Sequence, residues 1–114
     1  MAQYSSQLDA VFQALADPTR RAVLGRLGLG PASVGELAAP FDMALPSFMK
    51  HIRSLEHAGW ITTRKTGRVR VCTLERTSFD AIATWLSEQR GIWEGRADRL
   101  ERFVTTPYDQ ETAE

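Results

Sequence analysis

The fold is decided by residues 33–74, which read SVGELAAPFDMALPSFMKHIRSLEHAGWITTRKTGRVRVCTL. Near the start of this stretch, Ser33 with Glu36 three residues later is the pattern of a capping box, so a short helix is predicted that ends before Pro40. A second helix is predicted from about Pro46, because proline is tolerated at the first helical position. The brief connection between the two helices predicts a helix-turn-helix.

The second predicted helix has two distinct faces. At about 100° per residue, Phe48, Ile52 and Leu55 fall on one side and form its apolar face. A major groove about 12 Å wide admits one α-helix, and the polar side of this helix could donate hydrogen bonds to base edges and phosphates. The candidate residues for those contacts are Ser47, Lys50, Arg53 and Ser54.

A β-hairpin is predicted directly after this helix, over about residues 60–74. Its first strand is rich in β-forming residues, a turn follows at Thr66-Gly67-Arg68, and residues 69–74 alternate as a half-buried strand does. A hairpin in this place makes the helix-turn-helix of about residues 33–58 a winged helix. The cations of the wing could follow an adjacent phosphate backbone or minor groove, and they are Arg64, Lys65, Arg68 and Arg70.

Helices are also predicted on both sides of the winged helix. Apolar residues recur at helical spacing in the first segment, at Leu8, Val11, Phe12 and Leu15. Asp17, a favoured N-cap, opens a second helix that runs to about Leu27. A long helix is predicted over about residues 78–104, and the polar segment from Thr105 onward is expected to be frayed. The predicted fold class is therefore mainly α with a small β-hairpin, a single winged-helix domain over residues 1–114.

Composition excludes several other classes of protein. The chain has 114 residues, of which 43% are hydrophobic and 25% charged, as in one ordinary globular domain. A single cysteine allows neither an intramolecular disulfide nor a multi-thiolate metal site. No stretch approaches the roughly 18 apolar residues of a membrane span, and the first residues lack a secretory signal pattern, so no membrane partner and a cytoplasmic location are expected.

The formal net charge of zero conceals an uneven distribution. Residues 43–76 contain seven Lys or Arg residues against two acids, whereas residues 77–114 contain eight acids against four arginines. Phosphates are bound chiefly by Lys and Arg, so the basic segment is the one expected to face nucleic acid. The charge pattern therefore favours double-stranded DNA as a partner, although the total charge does not.

Four runs, LADPTRRAVLGRL, VGELA, LPSFMKHIRSLEHAGWI and TRKTGRVRVCTLE, resemble in this order the arsenic-repressor (ArsR/SmtB) family of small bacterial winged-helix transcriptional regulators. The resemblance extends from about Phe12 to Leu100. It implies a homodimer that is built from the first and last helices, binds a palindromic operator and represses transcription. By position, the family's recognition helix corresponds to Pro46 through Ala58, its Lys/Arg-His pair to Lys50 and His51, and its wing to Arg64 through Arg70.

The sequence departs from the family pattern where many members bind metal. The segment ASVGEL, residues 32–37, lacks the cysteine pair that many members carry there, and the predicted last helix contains no histidine. No metal site and no cofactor are therefore expected. Ala44, Leu45 and Met49 stand where small polar residues are common in the family, so no base contact is transferred to those positions.

Further contacts are predicted for the ends of the helices. Thr19 and Arg20, near the positive end of the second helix, are candidates for a phosphate contact. His51 is either a DNA contact or a packed or capping residue, and His57 near the helix end is favoured as a partner of the helix dipole. The side chains predicted for the dimer interface are Leu8, Phe12, Trp85, Trp93, Leu100 and Phe103.

Two other functions remain open for this sequence. The chain could be a winged-helix module that binds another protein, or a redox-responsive repressor that is switched through Cys72. Cys72 lies on the return strand, between outward-facing positions by alternation with Val71 and Leu74, and Arg70 and Arg76 could lower the pKa of its thiol. An enzyme is not expected, because the two histidines share one helix and no nucleophile, base and acid come together in the pattern.

Overall fold

The computed structural model describes the backbone of residues 2–112 and the side chains of residues 6–96 and 98–101. In this part of the chain the elements are α1 (Ala2–Leu15), α2 (Pro18–Leu27), β1 (Ala32–Ser33), α3 (Val34–Ala38), α4 (Leu45–His57), β2 (Ile61–Thr66), β3 (Val69–Leu74) and α5 (Arg76–Thr112). The predicted order of helices and hairpin is confirmed, with β1 as an additional strand. The chain is a mainly helical winged helix-turn-helix.

The strands form one antiparallel sheet in the order β1-β3-β2. β2 and β3 are joined by a two-residue turn, in which Gly67 has a φ of +64°. A positive φ at the first turn residue suits the right-handed twist of a hairpin and favours glycine. β1 has only two residues, and Ala32 and Ser33 pair with Cys72 and Val71. Two residues are too few to show the alternation by which strands are predicted.

Both predicted helix caps are present. The Asp17 carboxylate accepts a hydrogen bond from the Arg20 amide at 3.0 Å. Ser33 and Glu36 form the reciprocal capping box, since the Glu36 amide donates to Ser33 Oγ at 3.1 Å and the Ser33 amide donates to Glu36 Oε1 at 2.9 Å. These hydrogen bonds from Ser33 lower the pKa of Glu36. The caps fix where α2 and α3 begin.

The core surrounds the apolar face of α4. Phe48 and Leu55 are 0% exposed and Ile52 is 1% exposed, so the predicted inner face of this helix is confirmed. Trp60 lies directly beyond α4 and its indole N–H donates to the Val11 carbonyl of α1 at 3.0 Å. This packing holds the opposite side of α4 towards solvent.

The end of α4 depends on a glycine. Gly59 has a φ of +83°, and the Trp60 amide donates to the Leu55 carbonyl at 2.9 Å, which is the pattern of a Schellman motif. The buried Ser78 hydroxyl donates to the Ala58 carbonyl at 2.7 Å. A Cβ at position 59 would lie 2.9 Å from Ser78 Oγ. Glycine is thus required here by both backbone conformation and space.

Gly59→Ala is expected to lower the free energy of unfolding by about 2–4 kcal/mol, because it combines a strained backbone with a weakened buried hydrogen bond. Gly67→Ala is the matched control, since position 67 also has a positive φ but has no atom within 4 Å of the added Cβ. That variant should lose only about 1–2 kcal/mol. Urea unfolding measures both values, and equal losses would contradict the proposed clash.

α5 is longer than predicted at both ends. It begins at Arg76 and its backbone continues as a helix to Thr112, beyond the predicted end near residue 104. Extending an existing helix costs less than nucleating one, because each further residue adds a hydrogen bond. The chain divides into two compact units, the first ending at Ile82 and the second, the remainder of α5, beginning at Ala83.

No helix in the described part of the chain has the length and apolarity of a membrane span.

Candidate nucleic-acid interface

The outer face of α4 carries most of the polar residues predicted to touch DNA. Ser47, Lys50 and Arg53 are exposed, and Ser54 is half-buried. The helix begins at Leu45, one residue before the predicted start, and Ala44 provides no side-chain cap. The first backbone amides of a helix lack intrahelical partners, so this end of α4 suits an anion. A basic face and an uncapped N-terminus thus occur on the same helix.

The strand register divides the wing cations between two faces. Lys65 pairs directly with Arg70, on the same side of the hairpin as the buried Cys72. Arg64 pairs with Val71 and points to the opposite side. Like charges directly across a strand pair repel each other, so Lys65 and Arg70 favour an anionic partner between them. Arg68 lies in the turn and is exposed.

One wing cation is connected to α4. Arg70 Nη1 donates to Thr63 Oγ1 at 3.0 Å, and the Thr63 hydroxyl donates to Glu56 Oε2 at 2.9 Å. Glu56 belongs to the last turns of α4, so this chain of hydrogen bonds joins the wing to the helix. Arg70 is therefore held in a fixed direction, whereas the other wing cations extend from the hairpin.

Arg20 lies in the first turn of α2, near its positive end as predicted, and its phosphate contact stays a prediction. Its guanidinium lies at the C-terminus of α1, where Nε donates to the Ala14 carbonyl at 2.7 Å and Nη2 donates to the Gln13 carbonyl at 3.0 Å. The third nitrogen, Nη1, lies 3.2 Å from His51 Nδ1 on α4. Arg21 caps the same helix end, donating to the Leu15 carbonyl at 2.7 Å. These bonds satisfy carbonyls that a helix C-terminus leaves without partners.

Asp17 completes this group of side chains, which we call the Asp17–Arg20–His51 cluster. Burial acts to raise the pKa of Asp17, but the Arg20 amide and the nearby His51 and Arg20 side chains hold that pKa below its ordinary value. Asp17 Oδ2 lies 3.6 Å from His51 Nδ1. His51 is half-buried, and its two alternatives, a DNA contact or a packed or capping residue, both stay predictions. Thr19 is half-buried in the first turn of α2, and its phosphate contact stays a prediction.

Cys72 corrects one expectation from the sequence. The thiol is 0% exposed, and burial raises its pKa, with the Glu56 carboxylate adding to this effect and Arg70 opposing it. From the sequence, Arg70 and Arg76 could have lowered this pKa; Arg70 does act in that direction, but burial and Glu56 outweigh it, so the pKa is raised. A buried thiol with a raised pKa is a poor nucleophile, so the structure gives no support to a switch at this residue. Among the described side chains, no three His, Cys, Asp or Glu residues group as metal ligands do.

The residues predicted for the dimer interface differ in exposure. Leu8, Phe12 and Trp85 are half-buried, and Phe12 packs against the core. Trp93 is 70% exposed and Leu100 55% exposed, whereas the side chain of Phe103 lies outside the described residues.

Two exposed apolar residues of α5, Phe79 and Leu86, were not among those predicted. Together with Trp93 and Leu100 they recur every seven residues, and we call these four residues the heptad stripe. A seven-residue repeat of apolar side chains is typical of a helix that packs along another helix.

Comparison with known proteins identifies related chains. A helix-turn-helix domain family matches residues 15–64. The chain is 40% identical to the HTH-type transcriptional regulator Rv2034 of Mycobacterium tuberculosis over 74% of this chain and 78% of that protein. It is 30% identical to the transcriptional repressor SdpR of Bacillus subtilis over 69% and 88% of the two chains. A crystal structure of an ArsR family transcriptional regulator shares 67% identity with a TM-score of 0.78, covering 82% of this chain and 97% of that one. These relatives are named as regulators of transcription and not as enzymes.

Proposed function

Because the chain belongs to the ArsR family of transcriptional regulators, we propose that it binds a double-stranded DNA operator as a homodimer in the cytoplasm and represses transcription. The observation that carries this proposal is the two-sided α4, whose apolar side is buried while Ser47, Lys50 and Arg53 face solvent. A helix that is held in this way can enter a major groove without disturbing the core.

The proposal assigns different contacts to α4 and the wing. Arg53 and Lys50 are suited to base edges, because Arg and Lys donate to the acceptors of guanine in the major groove. The wing cations at 64, 65, 68 and 70 are suited to phosphates, which position a protein without reading sequence. In a two-fold dimer the two α4 helices would enter major grooves about 34 Å or a multiple apart, so the operator is an inverted repeat.

A second copy of the chain is the proposed partner of α5. The heptad stripe exposes Trp93 to 70% and Leu100 to 55% of their surfaces, and burying such side chains against a second copy would remove them from water. In this arrangement the helix-turn-helix of about residues 33–58 and the wing of about residues 60–74 face DNA. The C-terminal helix, including residues 78–104, joins the two protomers.

We also propose that this regulator works without the family's usual metal sites and without a cofactor. Support comes from the residues at those positions, since the segment 32–37 has no cysteine and α5 has no histidine. Thiolate and imidazole are the side-chain ligands best suited to metals such as zinc and copper.

The direct test is selection of bound fragments from a genomic library. We expect the retained fragments to share one inverted repeat, with half-sites separated by about one helical turn or a multiple of it. Electrophoretic shifts with the selected repeat and with random fragments then give the specificity ratio. A protein that retains no fragment at low salt would instead support the winged-helix module that binds another protein.

Arg53→Ala and Arg68→Ala should weaken DNA binding in different ways. Arg53→Ala is expected to lower operator affinity about 10- to 100-fold and to relax the preferred sequence, because a base contact is lost. Arg68→Ala should weaken operator and random duplex by the same factor, because it removes a phosphate contact. Fluorescence anisotropy titrations on both duplexes measure this, and wild-type affinity in both variants would contradict the assigned contacts.

Trp93→Lys is expected to weaken dimerisation at least about 10-fold, because it places a charge in the centre of the heptad stripe. Leu29→Lys is the matched control, since Leu29 is 85% exposed but lies in the loop after α2. Sedimentation equilibrium should show a monomer for the first variant at concentrations where the second stays dimeric. An unchanged dimer dissociation constant in Trp93→Lys would show that this part of α5 does not form the dimer interface.

A further inference from the structure

We infer that Arg20 and His51 are positioning residues that set α4 for operator reading, and that neither of them contacts DNA; this inference rests on the proposed function. The two side chains meet in the Asp17–Arg20–His51 cluster, where α1, α2 and α4 come together. From sequence alone both were candidates for DNA contacts. The geometry points to a role inside the protein.

The hydrogen bond between Arg20 and His51 has a fixed direction. A guanidinium is always protonated in proteins and has no acceptor, so Arg20 Nη1 donates and His51 Nδ1 accepts over the 3.2 Å that separate them. In a neutral imidazole this contact places the ring proton on Nε2. Asp17 Oδ2, at 3.6 Å from the same Nδ1, is too distant for a hydrogen bond. The inner nitrogen of His51 is therefore occupied by Arg20.

Arg20 connects this histidine to α1. Two of its nitrogens donate to the Gln13 and Ala14 carbonyls in the last turn of α1. The third nitrogen contacts His51 in the middle of α4. Its own amide is fixed by the Asp17 cap at 3.0 Å. One guanidinium thus holds the end of α1 and the middle of α4 at a set separation, independently of the apolar core.

Partial burial protects the contacts of Arg20 with Ala14 and His51. The side chains of His51 and Asp17 are 22% and 29% exposed, so water competes less for them than at an open surface. A DNA phosphate that took over either of the donors bound to Ala14 and Gln13 would leave a backbone carbonyl without its partner. Arg53 and Lys50, in contrast, are exposed on the same face as Ser47 and need no such exchange.

α1 is also one of the two helices from which the family resemblance implies that the dimer is built. Phe12 lies directly before Gln13, whose carbonyl Arg20 binds. A change in the last turn of α1 would therefore move the guanidinium and, through it, His51. The Asp17–Arg20–His51 cluster is a route by which the geometry of the dimer sets the two α4 helices at the spacing of the operator.

Two isosteric variants separate a positioning role from a DNA contact. In His51→Asn the amide oxygen takes the place of Nδ1 and can accept from Arg20, whereas in His51→Gln the amide nitrogen takes the place of Nε2. We expect operator affinity within about 3-fold of wild type for His51→Asn and a loss of about 10-fold for His51→Gln, with unchanged binding of random duplex by both. The reverse order would identify His51 as a DNA contact, and equal losses would likewise overturn the inference.

Arg20→Lys tests the other partner. Lysine keeps the charge, so a phosphate contact would survive largely intact, whereas the three directed hydrogen bonds would not. For Arg20→Lys we expect operator affinity to fall about 10-fold while the affinity for random duplex stays unchanged. The double variant Arg20→Lys/His51→Gln should bind the operator no more weakly than either single variant. Full additivity, or near wild-type operator affinity in Arg20→Lys, would contradict the link.

A measurement without DNA keeps the test independent of the proposed function. Nitrogen-15 spectra of the imidazole should show an unprotonated Nδ1 and a protonated Nε2 in the unbound protein, and a mixture of the two tautomers in Arg20→Lys. A protonated Nδ1 in the wild-type protein would overturn the inference even if a variant fails to fold. Wild-type protein that binds no duplex would contradict the proposed function. Normal binding by the wild-type protein, with equal operator affinities for His51→Asn and His51→Gln, would contradict this inference alone.

Discussion

Raising the salt concentration from 50 to 200 mM is expected to lower operator affinity about 10³- to 10⁵-fold. The reason is the release of counterions from every phosphate that the protein neutralises. Each protomer offers exposed cations on α4 and the wing, at Lys50, Arg53, Arg64, Lys65 and Arg68, with Arg70 held by Thr63. If each neutralises about three to five phosphates, the log-log slope of affinity against salt is about −5 to −9 for the dimer.

The slope also tests which cations take part. Arg68→Ala should reduce its magnitude by about 1 per protomer, and therefore by about 2 for the dimer. Arg90→Ala is the matched control, because Arg90 lies on α5, pairs with Glu94 at 2.8 Å and is not among the proposed DNA contacts. Anisotropy titrations at five salt concentrations give all three slopes. A wild-type affinity that does not depend on salt would contradict electrostatic contact through the wing. An equal change of the slope in Arg68→Ala and Arg90→Ala would contradict it as well.

Phe48→Ala is expected to lower the free energy of unfolding by about 3–5 kcal/mol, the largest loss for a single substitution in α4. Phe48 is 0% exposed, and its ring contacts that of Phe41 with centroids 5.6 Å apart. Truncation leaves a cavity between α4 and the segment before it. Because Phe48 lies on the helix that is proposed to read DNA, operator affinity should fall together with stability.

Leu45→Ala is the matched control for this cavity. Leu45 belongs to the same helix but is 56% exposed, so its truncation removes little buried surface and should change stability by no more than about 0.5 kcal/mol. Urea unfolding followed by circular dichroism measures both variants. Losses of similar size would mean that Phe48 does not occupy the centre of the core.

Features that depend on neighbouring residues were predictable from sequence. The Asp17 cap, the Ser33–Glu36 capping box and the hairpin turn at Gly67 are all set by residues no more than three positions apart. The inner face of α4 was predictable for a similar reason, since Phe48, Ile52 and Leu55 repeat at the helical period. The polar side of α4 followed directly from that assignment.

Features that depend on distant residues were not predictable in this way. Arg20 and His51 meet across 31 positions of sequence, and neither residue type shows whether its partner is a phosphate or another side chain. β1 exists only because Ala32 and Ser33 pair with β3, about 40 residues further along the chain. The pKa of Cys72 depends on burial under that sheet and on Glu56 of α4, which its own strand does not reveal.

The burial of Cys72 also provides an internal reporter of motion. The residue lies on the middle strand of the sheet, paired with Ala32 on one side and Thr63 on the other. A thiol reagent reaches its sulfur only when the sheet moves away from the core or the domain unfolds, so the rate of alkylation measures how often this face opens. Each chain has one cysteine, and the label therefore reports on this opening alone. The native protein can be followed in this way, with and without DNA, without any engineered probe.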